Sequence, residues 1–184
     1  MIKKFIDVCQ SEKIFSHKKI VVAVSGGADS LALADLLFNV RQRFNLQLCI
    51  AHYEHGLRGQ DSLDDAAFVK NFAEERGIKF IGGQGDAKNF AELNKISVET
   101  AARTLRYEFL AEARRDLNCD AIALAHHADD QAETILMRLL RGATSAGLSA
   151  MKFRILSKDY GLLIRPLLRF KKVELENFCR EYLK

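Results

Sequence analysis

The sequence predicts an α/β domain: a five-stranded parallel sheet with helices on both faces. Three observations carry that expectation. Short apolar runs rich in β-branched residues alternate along the chain with longer segments of helical spacing. The clusters of polar residues fall immediately after those runs, and the first run breaks into a glycine turn that opens a helix. Alternation of this kind gives parallel strands joined by crossover helices, with ligands gathering at the carboxyl ends of the strands where their order reverses.

Taken in order, Ile2 to Phe15 reads as a first helix, with Phe5, Ile6 and Cys9 on one side. Ile20 to Val24 is an unbroken apolar run, as expected of a central strand covered on both faces. It leads into Ser25-Gly26-Gly27-Ala28-Asp29-Ser30. The two glycines allow a sharp turn and close backbone approach to a ligand. Asp29 or Ser30 can cap a helix carrying Leu31, Ala34, Leu37 and Val40 to about Phe44. A helix N-terminus facing a glycine turn is an anion site.

Leu46 to Ala51 is the second strand and ends in His52-Tyr53-Glu54-His55-Gly56-Leu57-Arg58. Ser62 and Asp65 resemble a capping box for a helix to Arg76, with Gly77 where a C-cap belongs. Ile78 to Ile81 is a third strand, followed by a turn containing Gly82, Gly83 and Gly85. A short helix near Phe90 precedes a longer one capped by Ser97 and running to about Leu117. Asp120 to Ala125 is the fourth strand, and His126-His127-Ala128-Asp129-Asp130 opens a helix to Arg141 whose Leu136, Met137, Leu139 and Leu140 read as core. Leu162 to Leu167 is the fifth strand and Lys171 to Tyr182 the last helix.

Composition bounds the class. A chain of 184 residues, 48% hydrophobic and 28% charged with one proline, has room for one sizeable core and shows no linker. No apolar run reaches the ~20 residues of a membrane span. Cys9, Cys49, Cys119 and Cys179 lie far apart, as expected of reduced thiols in a cytosolic protein. Residues 152 to 184 carry nine Lys/Arg against four Asp/Glu, so the basic surplus lies in the tail, as a solvated helix face or a nucleic-acid contact.

The polar clusters have bland and sharp readings. His52 and His55 have H-x-x-H spacing without further zinc ligands, so they read as backbone-bonding or substrate-contacting residues, and Arg58 as an anion ligand. Asp129 and Asp130 at a helix start are dipole partners or, beside a triphosphate, candidates for Mg²⁺. Arg103 and Arg106 lie one helical turn apart and are either solvated or anion-binding.

The Ser25–Ser30 loop lacks the Walker A lysine and the G-x-G-x-x-G spacing. It instead resembles the SGGxDS loop of the PP-loop ATP pyrophosphatases. Together with the His52–Arg58 cluster, Thr100-Ala101-Ala102-Arg103-Thr104-Leu105-Arg106-Tyr107, the 125–134 segment, Leu139-Leu140-Arg141-Gly142 and Ile164-Arg165-Pro166-Leu167-Leu168, it resembles the catalytic domain of the tRNA(Ile)-lysidine synthetase family from about Ile20 to Leu168. The resemblance implies an ATP- and Mg²⁺-dependent cytoplasmic ligase that joins free L-lysine to the wobble cytidine of a tRNA(Ile) with a CAU anticodon, through an adenylated intermediate. Residues 25–30 would bind ATP. Asp29, Asp130 and Arg106 would be catalytic, the two aspartates also holding Mg²⁺, and His55, Arg58, Arg103, His126, His127 and Asp129 would line the substrate side. A homodimer is an option the family leaves open.

Two features depart from the family pattern. Ala125 stands where glycine often precedes the histidine pair, and the chain stops at Lys184, so residues 1–184 are expected to be a catalytic domain without the family's C-terminal tRNA-binding regions. Related alternatives are a tRNA 2-thiolation enzyme, an amidating synthetase sharing only the first loop, or a non-enzymatic adenine-nucleotide sensor. The thiolation reading usually needs paired cysteines, and no C-x-x-C occurs.

Overall fold

The computed structural model describes residues 1–56, 60–143 and 149–182, with the side chains of 60–63 left aside. Seven helices and six strands in the described residues follow the order α1 (Ile2–Ser11), β1 (Lys19–Ala23), α2 (Ala28–Phe44), β2 (Gln47–Glu54), α3 (Gln60–Glu75), β3 (Lys79–Gln84), α4 (Ala87–Asn94), α5 (Val98–Asp116), β4 (Ala121–Ala123), α6 (Ala128–Leu140), β5 (Arg154–Ser157), β6 (Gly161–Ile164) and α7 (Lys172–Tyr182). The sheet runs β3-β2-β1-β4-β6-β5. Its pairings are parallel except between β5 and β6, which form an antiparallel hairpin.

β1 sits at the centre because its side chains are apolar in both directions. Ile20 and Val22 point into the core shared with α1, α2 and α7, while Val21 packs on the other face with Tyr107, Leu110, Ile122 and Leu163. Its pairing partners place Val21 opposite Cys49 of β2 on one side and Ile122 of β4 on the other. Full burial of each such side chain is worth about 2 kcal/mol, enough to hold the carboxyl end of β1 as a fixed platform.

The sixth strand is the main addition to the sequence-based expectation. β5 is exposed along most of its length, so Arg154-Ile155-Leu156-Ser157 carries no buried-strand signal. The strand expected at 162–167 is the shorter β6. At the N-terminus, Lys13 takes a left-handed conformation (φ 55°) and ends the helix at Ser11 rather than Phe15, and a 3-10 turn over Ile14–Ser16 then carries Ile14 and Phe15 into the core.

Among the expected caps, Ser97 Oγ accepts the Thr100 N–H at 3.1 Å and Gly77 has φ +60° after α3. α3 begins at Gln60, so Ser62 and Asp65 lie within its first turns, and the Asp65 carboxylate is turned to Gly26 instead. The core assignment for Leu136, Met137, Leu139 and Leu140 is corrected: α6 buries no residue and these four are exposed. Helical spacing makes that stripe amphipathic, but no described element covers it. No described helix is long and apolar enough to cross a membrane.

Candidate active site

The chain order reverses at β1, which has β2 on one side and β4 on the other. A cavity of about 640 Å³ opens at the carboxyl ends of these strands, within the usual range for a small-molecule site. Residues 23–27, 29–30, 51–55 and 124–126, with Asp65, Arg106, Leu110 and Asp130, supply its wall.

The loop after β1 owes its shape to the hydrogen bonds of one hydroxyl, that of Ser30, which also meets Ser25 Oγ at 3.2 Å. Ser30 Oγ donates to the Gly27 carbonyl at 2.8 Å and accepts the Ser25 N–H at 3.1 Å, tying the loop to the first turn of α2. Gly26 sits at φ +94°, a conformation L side chains rarely adopt, and an added Cβ would lie 3.3 Å from Asp65 Oδ1. Gly27 is the N-cap of α2 and no side chain caps it, which corrects the expectation that Asp29 or Ser30 would do so. Ser30 is spent on bracing the loop. The N–H groups of the first helical turn are thereby left for an anion, and the helix dipole favours one there.

His52 is buried, and its Nδ1–H donates to the Val24 carbonyl at 2.9 Å, joining the ends of β1 and β2. His55 packs edge-on against Tyr53 at 5.1 Å. Burial, followed by the nearby Arg106 charge, lowers the His55 pKa. Arg106 reaches the cavity from α5 and its Nε is buried without a hydrogen-bond partner. Arg103, on the same helix, is exposed and donates to the Tyr107 hydroxyl at 3.2 Å, outside the cavity lining.

The start of α6 forms the opposite wall. Asp130 Oδ2 accepts the His127 N–H at 2.8 Å, so this carboxylate caps its own helix while lining the cavity. His127 Nε2 lies 3.5 Å from Asp29 Oδ2, and its Nδ1 lies 3.6 Å from both Asp129 and Asp130. Asp129 turns away to accept the Lys172 N–H at 2.8 Å at the start of α7, an interaction that lowers its pKa. Asp29 shows the opposite shift: burial raises its pKa, and its Oδ1 has no hydrogen-bond partner. His126 lines the cavity with its pKa lowered to about 4 by burial and then by the charge of Arg165. Arg58 lies outside the described residues.

The structure thus gathers Ser25, Gly26, Gly27, Asp29, Ser30, His55, His126, Asp130 and Arg106 around one space, and leaves Ala28, Arg103, His127 and Asp129 out of its lining. Sequence reasoning passed over Asp65, Tyr53, Glu54 and Arg165. Asp65 reads locally as a helix-start residue, and only the tertiary fold brings it over Gly26. Arg165 lies in the Ile164–Leu168 segment, but nothing local distinguishes it from a surface arginine.

An anion-binding strand–loop–helix at the switch point of a largely parallel sheet, flanked by carboxylates and an unpaired arginine nitrogen, defines a nucleotide-binding α/β domain. The chain belongs to the PP-loop family: the family model described as a PP-loop domain matches residues 1–183. PP-loop domains use ATP. Curated relatives include the tRNA(Ile)-lysidine synthase of Clostridium tetani, 40% identical over 164 residues, covering 89% of this chain and 34% of the relative. That of Geobacter sulfurreducens is 43% identical over 160 residues, covering 87% of this chain and 33% of the relative. The chain therefore spans about a third of the length of the curated relatives it matches. Among solved structures, the fold resembles the U34-tRNA thiolase NcsA from Methanococcus maripaludis with its [4Fe-4S] cluster (TM-score 0.75, 23% identity, 97% of this chain and 64% of that one). It also resembles the NH3-dependent NAD synthetase of Campylobacter jejuni (TM-score 0.56, 12% identity, 98% of this chain and 71% of that one).

Proposed function

We propose that this chain is the chemical domain of a cytoplasmic tRNA(Ile)-lysidine synthase. The observation that carries the reading is the uncapped α2 N-terminus facing a cavity that also holds Asp29, Asp130 and Arg106, in a chain 40% identical to such a synthase over 89% of its length. In the first step, the C2 oxygen of the wobble cytidine in the CAU anticodon attacks the α-phosphorus of ATP. A C2–O–P bond forms and pyrophosphate departs. The amine of free L-lysine, having lost its proton, then attacks C2 and the C–O bond breaks to release AMP. A carbonyl oxygen leaves poorly until it is a phosphate ester, which is why ATP is consumed. The product reads AUA instead of AUG.

The N–H groups at the start of α2 bind the phosphates, and Arg106 offsets negative charge on the opposite wall. Mg²⁺ fits the residues present: Asp29 Oδ1 is buried without a partner and Asp130 lies on the same cavity. No group of three or more His, Cys, Asp or Glu among the described residues could hold a metal by itself. That suits an ion bound by one or two carboxylates together with phosphate oxygens. Asp29 and Asp130 would hold it, and its charge would stabilise the pyrophosphate leaving group. A homodimer is the option the family leaves open, and sedimentation velocity distinguishes it from a monomer.

The test supplies α-labelled ATP, Mg²⁺, lysine and tRNA(Ile) with a CAU anticodon. Formation of AMP that requires both lysine and tRNA, with the tRNA gaining the mass of lysine, is the expected outcome. ATP binding without AMP formation, here and in a longer homologue, refutes the reading and favours a nucleotide sensor.

A further inference from the structure

Arg165 follows β6 and is only 8% exposed, yet it pairs with no carboxylate among the described residues. Its backbone N–H donates to the Phe153 carbonyl at 2.8 Å and its Nη1 to the Lys152 carbonyl at 3.0 Å. The first fixes the backbone and the second one arm of the guanidinium. The same guanidinium has the Tyr107 hydroxyl within hydrogen-bonding reach, and on the cavity side its Nε–H donates to His126 Nδ1 at 3.3 Å. A guanidinium is always a donor, so Nδ1 must be the acceptor and the single ring proton must sit on Nε2.

We propose that Arg165 is a positioning residue: it holds His126 as the Nε2–H tautomer, so that this ring offers a fixed N–H donor to the oxygen that gains negative charge when the α-phosphoryl group of ATP is transferred. The proposal rests on the reading above for the identity of that oxygen. A fixed neutral donor suits the task, because it stabilises developing charge without giving its proton away. The charged groups acting on His126 agree with this role. Arg165, Arg103 and Arg106 oppose a second ring proton, Asp130 alone favours it, and burial adds to the arginines.

The experiment is nitrogen-15 NMR of the His126 ring in the whole chain, assigned by comparison with His126→Ala. The wild-type ring is expected to show an unprotonated Nδ1 and a protonated Nε2 from pH 5 to 8. In Arg165→Met the ring is expected to populate both tautomers. The kcat for AMP formation with lysine and tRNA should then fall about a hundredfold, the scale of losing one aligned donor, with KM for ATP within about twofold. The double variant with His126→Ala should be no slower than His126→Ala alone. A wild-type ring protonated on Nδ1 overturns the proposal without the Arg165 variant, which covers the case in which Arg165→Met does not fold. An unchanged tautomer in Arg165→Met, or losses that multiply in the double variant, overturn it too. Tautomer loss in a protein that makes no AMP with this tRNA would support the positioning role and count only against the proposed reaction.

Discussion

Ser30→Ala removes one oxygen and, with it, the two bonds to backbone that shape the loop between β1 and α2, together with a 3.2 Å contact to the exposed Ser25 hydroxyl that water can replace. Ser30 is 6% exposed, and its hydroxyl donates at 2.8 Å to Gly27 and accepts at 3.1 Å from Ser25. Each such bond contributes about 1 kcal/mol net. Ser25 is exposed, so water can take up its freed N–H and the loss should stay near the sum of the two, about 2 kcal/mol. For a domain of this size that corresponds to a fall in Tm of about 4–8 °C. Binding suffers separately, because the N–H groups of residues 26–29 are no longer held in one arrangement before the phosphates arrive, and about tenfold weaker ATP binding is expected, or 1.4 kcal/mol. Thermal unfolding and calorimetric titration with ATP measure the two effects. A variant whose Tm and ATP affinity both match the wild type refutes the argument that this hydroxyl organises the loop.

Other perturbations test neighbouring parts of the design. An added Cβ in Gly85→Ala would collide with the Tyr53 hydroxyl, so overpacking should cost about 1–3 kcal/mol in chemical denaturation and disturb the Tyr53–His55 contact. Arg76→Met leaves the buried Asp35 carboxylate with Asn39 Nδ2, at 2.8 Å, but without the cation that Arg76 presents at 3.2 Å through both Nε and Nη2, and should cost about 3 kcal/mol by the same measurement. Asp29→Asn should abolish AMP formation yet stabilise the fold at neutral pH. Because burial raises the folded-state pKa of Asp29, its ionised form weakens the native state above that pKa. The penalty shrinks as pH falls and is gone below the ordinary aspartate range, so the stability difference between variant and wild type should be largest at neutral pH and vanish in acid. A constant difference from neutral to acid pH would refute the assignment.

Several elements were legible because their causes are local. The β-branched run at 20–24 has no solvent-facing side and must be central, the Ser97 cap needs only its own neighbours, and Gly26 announces a turn that other residues resist. β5 was not legible, because an exposed edge strand carries no period against which to read it. The α6 stripe was read as core because spacing reports a face but never what covers it.

The α/β alternation, the glycine turn at 25–30 and the clustering of polar residues at strand ends are all local, since each follows from side-chain period and backbone freedom within about ten residues. The tertiary structure decided which of those residues share a cavity. It turned Asp129 toward Lys172, brought Asp65 over Gly26 and set Arg165 against His126, 39 positions away. Those outcomes depend on directions that long-range packing imposes on side chains. No local pattern encodes them.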